Sequence, residues 1–358
     1  MKLNELLTAM VEQRASDLHL KVGRPPSLRV DGKLTPTDFE RLRQQDIDNF
    51  ILDILNDSDN DRLRERRGID VAYSLAGVSR FRVNIFYQRG TPAIVIRTIP
   101  FNIATLEELG MPDKVRELAE EKAGLLLITG PAGCGKSTTL AAIVEHINMN
   151  FEKNIVTIED PIEFLFSDKM SSIVQREVGM DTPSFAEGLR MVFRQDPDVI
   201  VIGEMRDLDT IQTAMGAAET GHLVLSTLHT MDAAQTVDRI VDSFPSSQQH
   251  QIRVQFSQTL KGILSQRLVN RMDIAGRYAA VEILTNSPSV SELLLNGKTG
   301  ELYETIRTSV EDYGMQTLEQ SLICLSVHEI IDYEEAVRAA ARIPELEGAL
   351  RSLYPDYI

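Results

Sequence analysis

A chain of 358 residues is long enough for two ordinary domains, and 43% hydrophobic content with no low-complexity block is globular rather than disordered. Its 53 acidic against 37 basic residues leave a net charge of −16, which argues against a surface that grips a polyphosphate along its whole length and leaves room only for a local basic channel. Two cysteines, Cys134 and Cys324, are too few for a disulfide framework and lack metal-ligand spacing; the N-terminus has no signal-peptide shape, and the longest apolar runs are strand-length. A cytoplasmic protein is expected, touching a membrane only through a partner.

The first hundred residues predict a small α/β domain. Apolar residues at 3, 6, 7 and 10 form a helical stripe over 3–14. Short strands are expected over 17–22 and 27–34, the second containing the tight-turn dipeptide Asp31-Gly32. One helix is expected over 46–63, with Ile47, Phe50, Ile51, Ile54 and Leu55 on one face. Residues 79–88 alternate: Phe81, Val83, Ile85 and Tyr87 point one way, Arg80, Arg82 and Asn84 the other. After a turn at 89–92, a strand over 94–99 carries Arg97. Taken alone, this rank of arginines reads as a solvated sheet face.

The pattern weakens over 101–112, as in a linker. Strands over 125–129, 154–158, 199–202 and 223–227 then alternate with helices over 137–148, 185–195 and 210–218. Continuous apolar strands in that order predict a parallel sheet covered on both faces. After Gln248 the chain is expected to be mostly helical. The expected division is 1–100, the linker 101–112, a nucleotide-binding core over 113–270 and a mainly helical region over 271–358.

Residues 130–137, GPAGCGKS, fit the phosphate-loop pattern G-x-x-x-x-G-K-[ST] between a buried strand and a helix. Gly130, Pro131, Ala132, Gly133, Cys134 and Gly135 would turn backbone N–H groups onto phosphate oxygens, and Thr138 continues the cradle into the helix. Lys136 would reach the β- and γ-phosphates, and the Ser137 hydroxyl would bind Mg²⁺. ATP with Mg²⁺ is therefore the expected ligand. Two apolar strands downstream end in acids: Glu204 after 199–203, and Glu159, Asp160 and Glu163 after 155–158. Singly, each acid reads as a cap or a surface group. Together they read as metal-and-water machinery, with Glu159 and Glu204 beside Ser137 as metal ligands. At least one of Glu163 and Glu204 should position the attacking water, Glu163 being preferred. A third strand is bracketed by His222 and His229. A lone histidine there is usually structural, but a pair beside a γ-phosphate is placed to report on it. Cys134 lies near Lys136 and a helix N-terminus, both of which lower a thiol pKa, so oxidation could block the loop; a small residue filling a permissive position is the preferred reading.

These residues carry a resemblance. The stretch 193–207, FRQDPDVIVIGEMRD, resembles the signature of the type II/IV secretion ATPase superfamily, with Phe193 where a smaller aliphatic residue is usual. The stretches 157–163, TIEDPIE, and 220–229, TGHLVLSTLH, resemble its Asp and His boxes. More narrowly, 16–20 (SDLHL), 79–90 (SRFRVNIFYQRG), 175–179 (QREVG) and 314–318 (GMQTL) are similar to the twitching-motility ATPases of the PilT/PilU group, which power retraction of type IV pili. The resemblance implies a PAS-like N-terminal α/β domain, a RecA-like P-loop ATPase domain and a hexameric ring of identical chains. It also implies arginines sent towards the phosphates, which here match Arg82 and Arg97, with Arg80 a weaker third. The implied partner is an inner-membrane pilus platform protein, with no nucleic acid expected. The chain departs from the group at 289–296, SVSELLLN, where retraction ATPases carry two arginines. That departure keeps a PilU-like accessory role, alongside a paralogous retraction ATPase, as one alternative, and a pilus-assembly or secretion ATPase is the other within this class. A nucleic-acid motor and a non-catalytic nucleotide-binding scaffold are the readings from other classes.

Overall fold

A computed structural model describes residues 2–13, 15–30, 32–99, 103–274 and 276–351. The chain divides into two compact units, Met1–Asn102 with Glu163–Leu165, and Ile103–Ile162 with Phe166–Ile358.

In the first unit, helix α1 (Leu3–Glu12) buries the predicted stripe of Leu3, Leu6, Leu7 and Met10. Strands β1 (Asp17–Lys21), β2 (Ser27–Val30) and β3 (Lys33–Pro36) follow. Asp31 of the predicted turn lies outside the described residues, and Gly32 adopts φ +77°. The single helix expected over 46–63 is instead two, α2 (Gln44–Ile54) and α3 (Asp57–Arg66). The break is local chemistry. Asn56 Oδ1 accepts from the Asp59 amide at 2.9 Å, and this cap competes with continuation of the first helix. Strand β4 (Gly68–Leu75), missed in the sequence, pairs with β5 (Ser79–Gln88), and β5 with β6 (Thr91–Ile99).

The antiparallel order is β3-β2-β1-β6-β5-β4. Phe81, Val83, Ile85, Ile94 and Ile96 are fully buried in one core with residues of α1 and α2, so the period-2 pattern chose the covered face. The other face bears a transverse row: Arg29 opposite Asp17, Asp17 opposite Arg97, and Arg97 opposite Arg82. Two arginines directly opposite each other cost about 0.2–1 kcal/mol. Buried Asp17 offsets this by accepting from Arg97 Nε at 2.9 Å, and Asp70 lies 3.7 Å from Arg82 Nε.

In the second unit, residues 103–112 form turns, while 101 and 102 of the predicted linker lie outside the described residues. Then come α4 (Asp113–Ala119), β7 (Gly124–Thr129), α5 (Lys136–Asn150), β8 (Asn154–Glu159), β9 (Ser172–Glu177), α6 (Phe185–Val192) and β10 (Val199–Ile202). They are followed by α7 (Leu208–Glu219), β11 (Leu223–Leu228), α8 (Ala233–Asp242), α9 (Ser246–Thr259), β12 (Leu260–Asn270), β13 (Arg277–Thr285) and α10 (Pro288–Asn296). The order is β13-β12-β7-β11-β10-β8-β9, parallel except for β13. Leu125 and Leu127 of β7 enter one core and Leu126 and Ile128 another, so both faces are covered.

One expectation fails here. The stretch after Gln248 is not simply helical, because β12 and β13 form a hairpin that adds two strands beside β7, and helices resume from Pro288. Leu260, Ile263 and Leu264 are spaced i, i+3, i+4, which imitates a helix face in sequence. Among the described residues, no helix is long and apolar enough to cross a membrane.

Candidate nucleotide-binding site

The loop 130–135 leaves the carboxyl end of β7, where ligands of open parallel sheets bind. Its backbone requires glycine. Gly130 has φ +141°, and a Cβ there would lie 2.4 Å from the Gln266 carbonyl oxygen and 2.6 Å from Cys134 Sγ. Gly135, at φ +91°, is the N-cap of α5. The Gln266 side chain on β12 donates to the Cys134 carbonyl at 2.7 Å, which braces the loop from a strand missed in the sequence. Beside the loop is a cavity of about 310 Å³ lined by Pro131, Gly133, Arg267, Arg277, Glu335 and Arg338. A glycine cradle at a helix N-terminus, beside three arginines and one glutamate, fits a polyphosphate.

Lys136 is buried at the start of α5, and its ammonium is fully engaged. It donates to the Gly130 and Pro131 carbonyls at 2.8 and 3.0 Å and lies 3.4 Å from His229 Nδ1. An ammonium has no lone pair, so in this contact Nδ1 can only accept. Nε2 in turn lies 3.3 Å from Glu204 Oε1, while Arg206 Nη2 lies 2.8 Å from Glu204 Oε2. A chain of contacts therefore runs from the phosphate loop through His229 to Glu204. Burial pushes the Glu204 carboxyl up, but the Arg206 hydrogen bond and charge and the His229 contact outweigh it, so the group is held below the usual carboxylate range. Neighbouring strands fix the ends of this chain: Thr227 Oγ1 donates to the Gly203 carbonyl at 2.6 Å, and the Met205 amide to the Thr227 carbonyl at 3.2 Å. Arg206, the partner of Glu204, was not singled out from sequence although it stands two residues away. Ser137 and Thr138 lie half-buried on the first turn of α5.

Other predicted residues fall elsewhere. His222 precedes β11 and His229 follows it, so they lie about 20 Å apart at opposite ends of a six-residue strand. Both histidines flank the strand as expected, and within the chain it is His229 that contacts Lys136. The His222 ring packs edge-on against Phe193 at 5.7 Å, and its Nδ1 lies 3.0 Å from the Ala217 carbonyl oxygen. Glu159 ends β8, three strands from β7 and so about 14 Å across the sheet. Its Oε1 accepts from Thr157 Oγ1 at 2.7 Å and Gln175 Nε2 at 3.0 Å. Glu163 is exposed in the turn after β8 and groups with the first unit, as do Arg82 and Arg97. Among the described residues, no cluster of three or more His, Cys, Asp or Glu side chains could hold a metal by itself. Mg²⁺ in phosphate loops is held largely by the phosphates it accompanies.

The burial of Cys134 goes against the reactive-thiol alternative and agrees with the preferred reading of a small residue filling the loop. The residue is buried, and burial pushes its thiol pKa up despite the Lys136 charge. Iodoacetamide at pH 7.5 is therefore expected to label Cys134 more slowly than exposed Cys324, read by peptide mass spectrometry. Equal or faster labelling of Cys134 would overturn this placement.

A phosphate loop on an inner strand of a parallel sheet, with a lysine–histidine–glutamate chain across adjacent strand ends, defines a P-loop ATPase. The family model described as Type II/IV secretion system protein matches residues 1–342, and the chain belongs to that family, as one of its ATPases. It is 44% identical over 345 residues to the type IV pilus retraction ATPase PilT of Pseudomonas aeruginosa strain PAO1, covering 96% of this chain and 99% of that protein. It is 40% identical over 340 residues to the type IV pilus ATPase PilU of the same organism, covering 95% and 89%. The crystal structure of the pilus retraction motor PilT with bound ADP superposes with a TM-score of 0.90 at 43% identity, covering 97% of this chain and 99% of that one.

Proposed function

We propose that this chain is the subunit of a ring-shaped, Mg²⁺-dependent ATP motor, built from identical copies, that drives type IV pilus retraction at the cytoplasmic face of an inner-membrane platform protein. The observation that carries the reading is the chain of contacts Lys136–His229–Glu204–Arg206, which ties a phosphate loop to the ends of two neighbouring strands. Such a chain gives the protein a means of registering whether a terminal phosphate is present, which a motor needs and a passive nucleotide binder does not.

In this reading, backbone N–H groups of 130–135 and the N-terminus of α5 hold the phosphates, and Lys136 neutralises charge that develops during transfer. Ser137 and Glu204 would hold Mg²⁺ on the protein side, and the ion would supply charge that offsets that of the phosphates. Glu159, committed to Thr157 and Gln175, is assigned to orienting the strand end rather than to the metal directly. Glu163 positions the attacking water, Arg82 and Arg97 supply further cationic charge to the phosphates, and His229 reports the terminal phosphate. No catalytic part is kept for His222.

A second reading has one observation in its favour. Segment 289–296 forms α10 with Glu292 and Leu295 exposed and no arginine, which suits an accessory subunit acting beside a paralogous retraction ATPase. ATP turnover by purified protein, measured with particle mass and with Glu163→Ala alongside, tests the main reading. Turnover on a six-chain particle, lost by about 100-fold or more in the variant, is the expected result. A monomer without turnover, alone or mixed with a paralogous motor, would refute it.

A further inference from the structure

One buried carboxylate plays no part in the mechanism above. Glu282 on β13 is 5% exposed, and it shares a register row with two other buried polar residues: Thr129 of β7 opposite Ser265 of β12, and Ser265 opposite Glu282. Residues opposite one another share a sheet face, here the face covered by α8. Thr129 Oγ1 donates to Ser265 Oγ at 2.9 Å, Ser265 hydrogen-bonds the Glu282 carboxylate, and Glu282 Oε1 accepts from the Ala233 amide at 2.8 Å.

The two ends of this row are not arbitrary. Thr129 is the residue immediately before Gly130 of the phosphate loop, and Ala233 opens α8 at the end of the loop that carries His229. We propose that Glu282 is a positioning residue that ties the phosphate loop and the His229 loop to one buried acceptor, fixing the distance between the two sides of the phosphate site. A carboxylate is costly in this setting. Burial is the main effect that pushes its pKa up, to about 7, and the neighbouring acids Asp232 and Glu319 add to it against the Ala233 and Ser265 hydrogen bonds. An ordinary packing position would be filled more cheaply by an apolar side chain. A carboxylate, by contrast, accepts from both sides at once. In the ionised form every proton in the row points towards Glu282: Thr129 to Ser265, Ser265 to the carboxylate, and Ala233 to the carboxylate. Glutamine keeps the volume but must turn an NH₂ towards Ser265 or Ala233, so it breaks this order.

The test is hydrogen exchange of the full chain, comparing Glu282→Gln and Ser265→Ala with the parent over peptides covering 130–136 and 229–233, with α10 as the internal reference. In Glu282→Gln at least one of the two loops is expected to exchange about 10-fold faster, with α10 unchanged. In Ser265→Ala the phosphate loop alone loosens. Unchanged exchange at both loops in Glu282→Gln overturns the tie, and Ser265→Ala decides the phosphate-loop half if the first variant fails to fold. A second arm rests on the ATPase reading: kcat should fall about 10-fold with KM for ATP within about 2-fold, and the double variant should be no worse than Glu282→Gln. A folded Glu282→Gln protein with parental kcat also overturns the proposal. No turnover in the parent would count against the ATPase reading, while exchange still decides the tie.

Discussion

Lys136→Ala is expected to lower ATP turnover by about 1,000-fold while the protein still folds. The size follows from three losses at one atom. The ammonium that would neutralise the transferred phosphate is gone. The Gly130 and Pro131 carbonyls lose the donor that holds them at 2.8 and 3.0 Å. His229 Nδ1 loses the donor that fixes its tautomer, and with it the orientation of Nε2 towards Glu204. Phosphate release and thermal melting, measured on the same preparation, separate chemistry from folding. Turnover within 10-fold of the parent would remove Lys136 from the phosphate site.

Glu204→Gln is expected to lower kcat by about 100-fold or more with nucleotide binding retained, since the shape survives and the negative charge does not. The pH dependence gives a sharper check. Glu204 is held below its ordinary range, so it stays ionised throughout neutral pH and protonates only in acid. A carboxylate with a depressed folded pKa contributes stability above its unfolded value and loses it as pH falls through the folded one. Arg206→Ala removes the main opposing influence and leaves burial to act, so the acidic limb of the kcat profile should move to higher pH. If that limb does not move between pH 4.5 and 8, Glu204 does not set it.

Much of this was legible in the residues, for physical reasons. The loop 130–137 needs glycine where φ is positive, at Gly130, Gly133 and Gly135, and the pattern supplies it there. The alternation over 79–88 chose its buried face correctly because one face of β5 is covered and the other is not. Longer-range facts were not legible. β12 has the spacing of a helix face, and its pairing with β7 joins residues more than 130 positions apart. That His229 reaches Lys136 while His222 packs against Phe193 was not legible, because sequence shows adjacency to a strand but not what lies at each end. The charges beside Cys134 raised a reactive thiol only as the lesser alternative, and burial decides its pKa the other way. Arg206 and Glu282 each matter through a partner, and a partner across strands leaves little trace in a single sequence.

The setting of β7 has a mechanical consequence. Its six residues Gly124–Thr129 are each matched to Leu223–Leu228 of β11, and five register pairs join it to β12 on the other flank. Tension entering at Gly130 along the strand axis would load both rows of rungs simultaneously, in shear. Strand β9, at the outer edge and paired only to β8, has a single row of rungs to share such a load. The phosphate loop is thus rooted in a strand held on both flanks, so a load entering there is spread over the sheet before it can distort the loop.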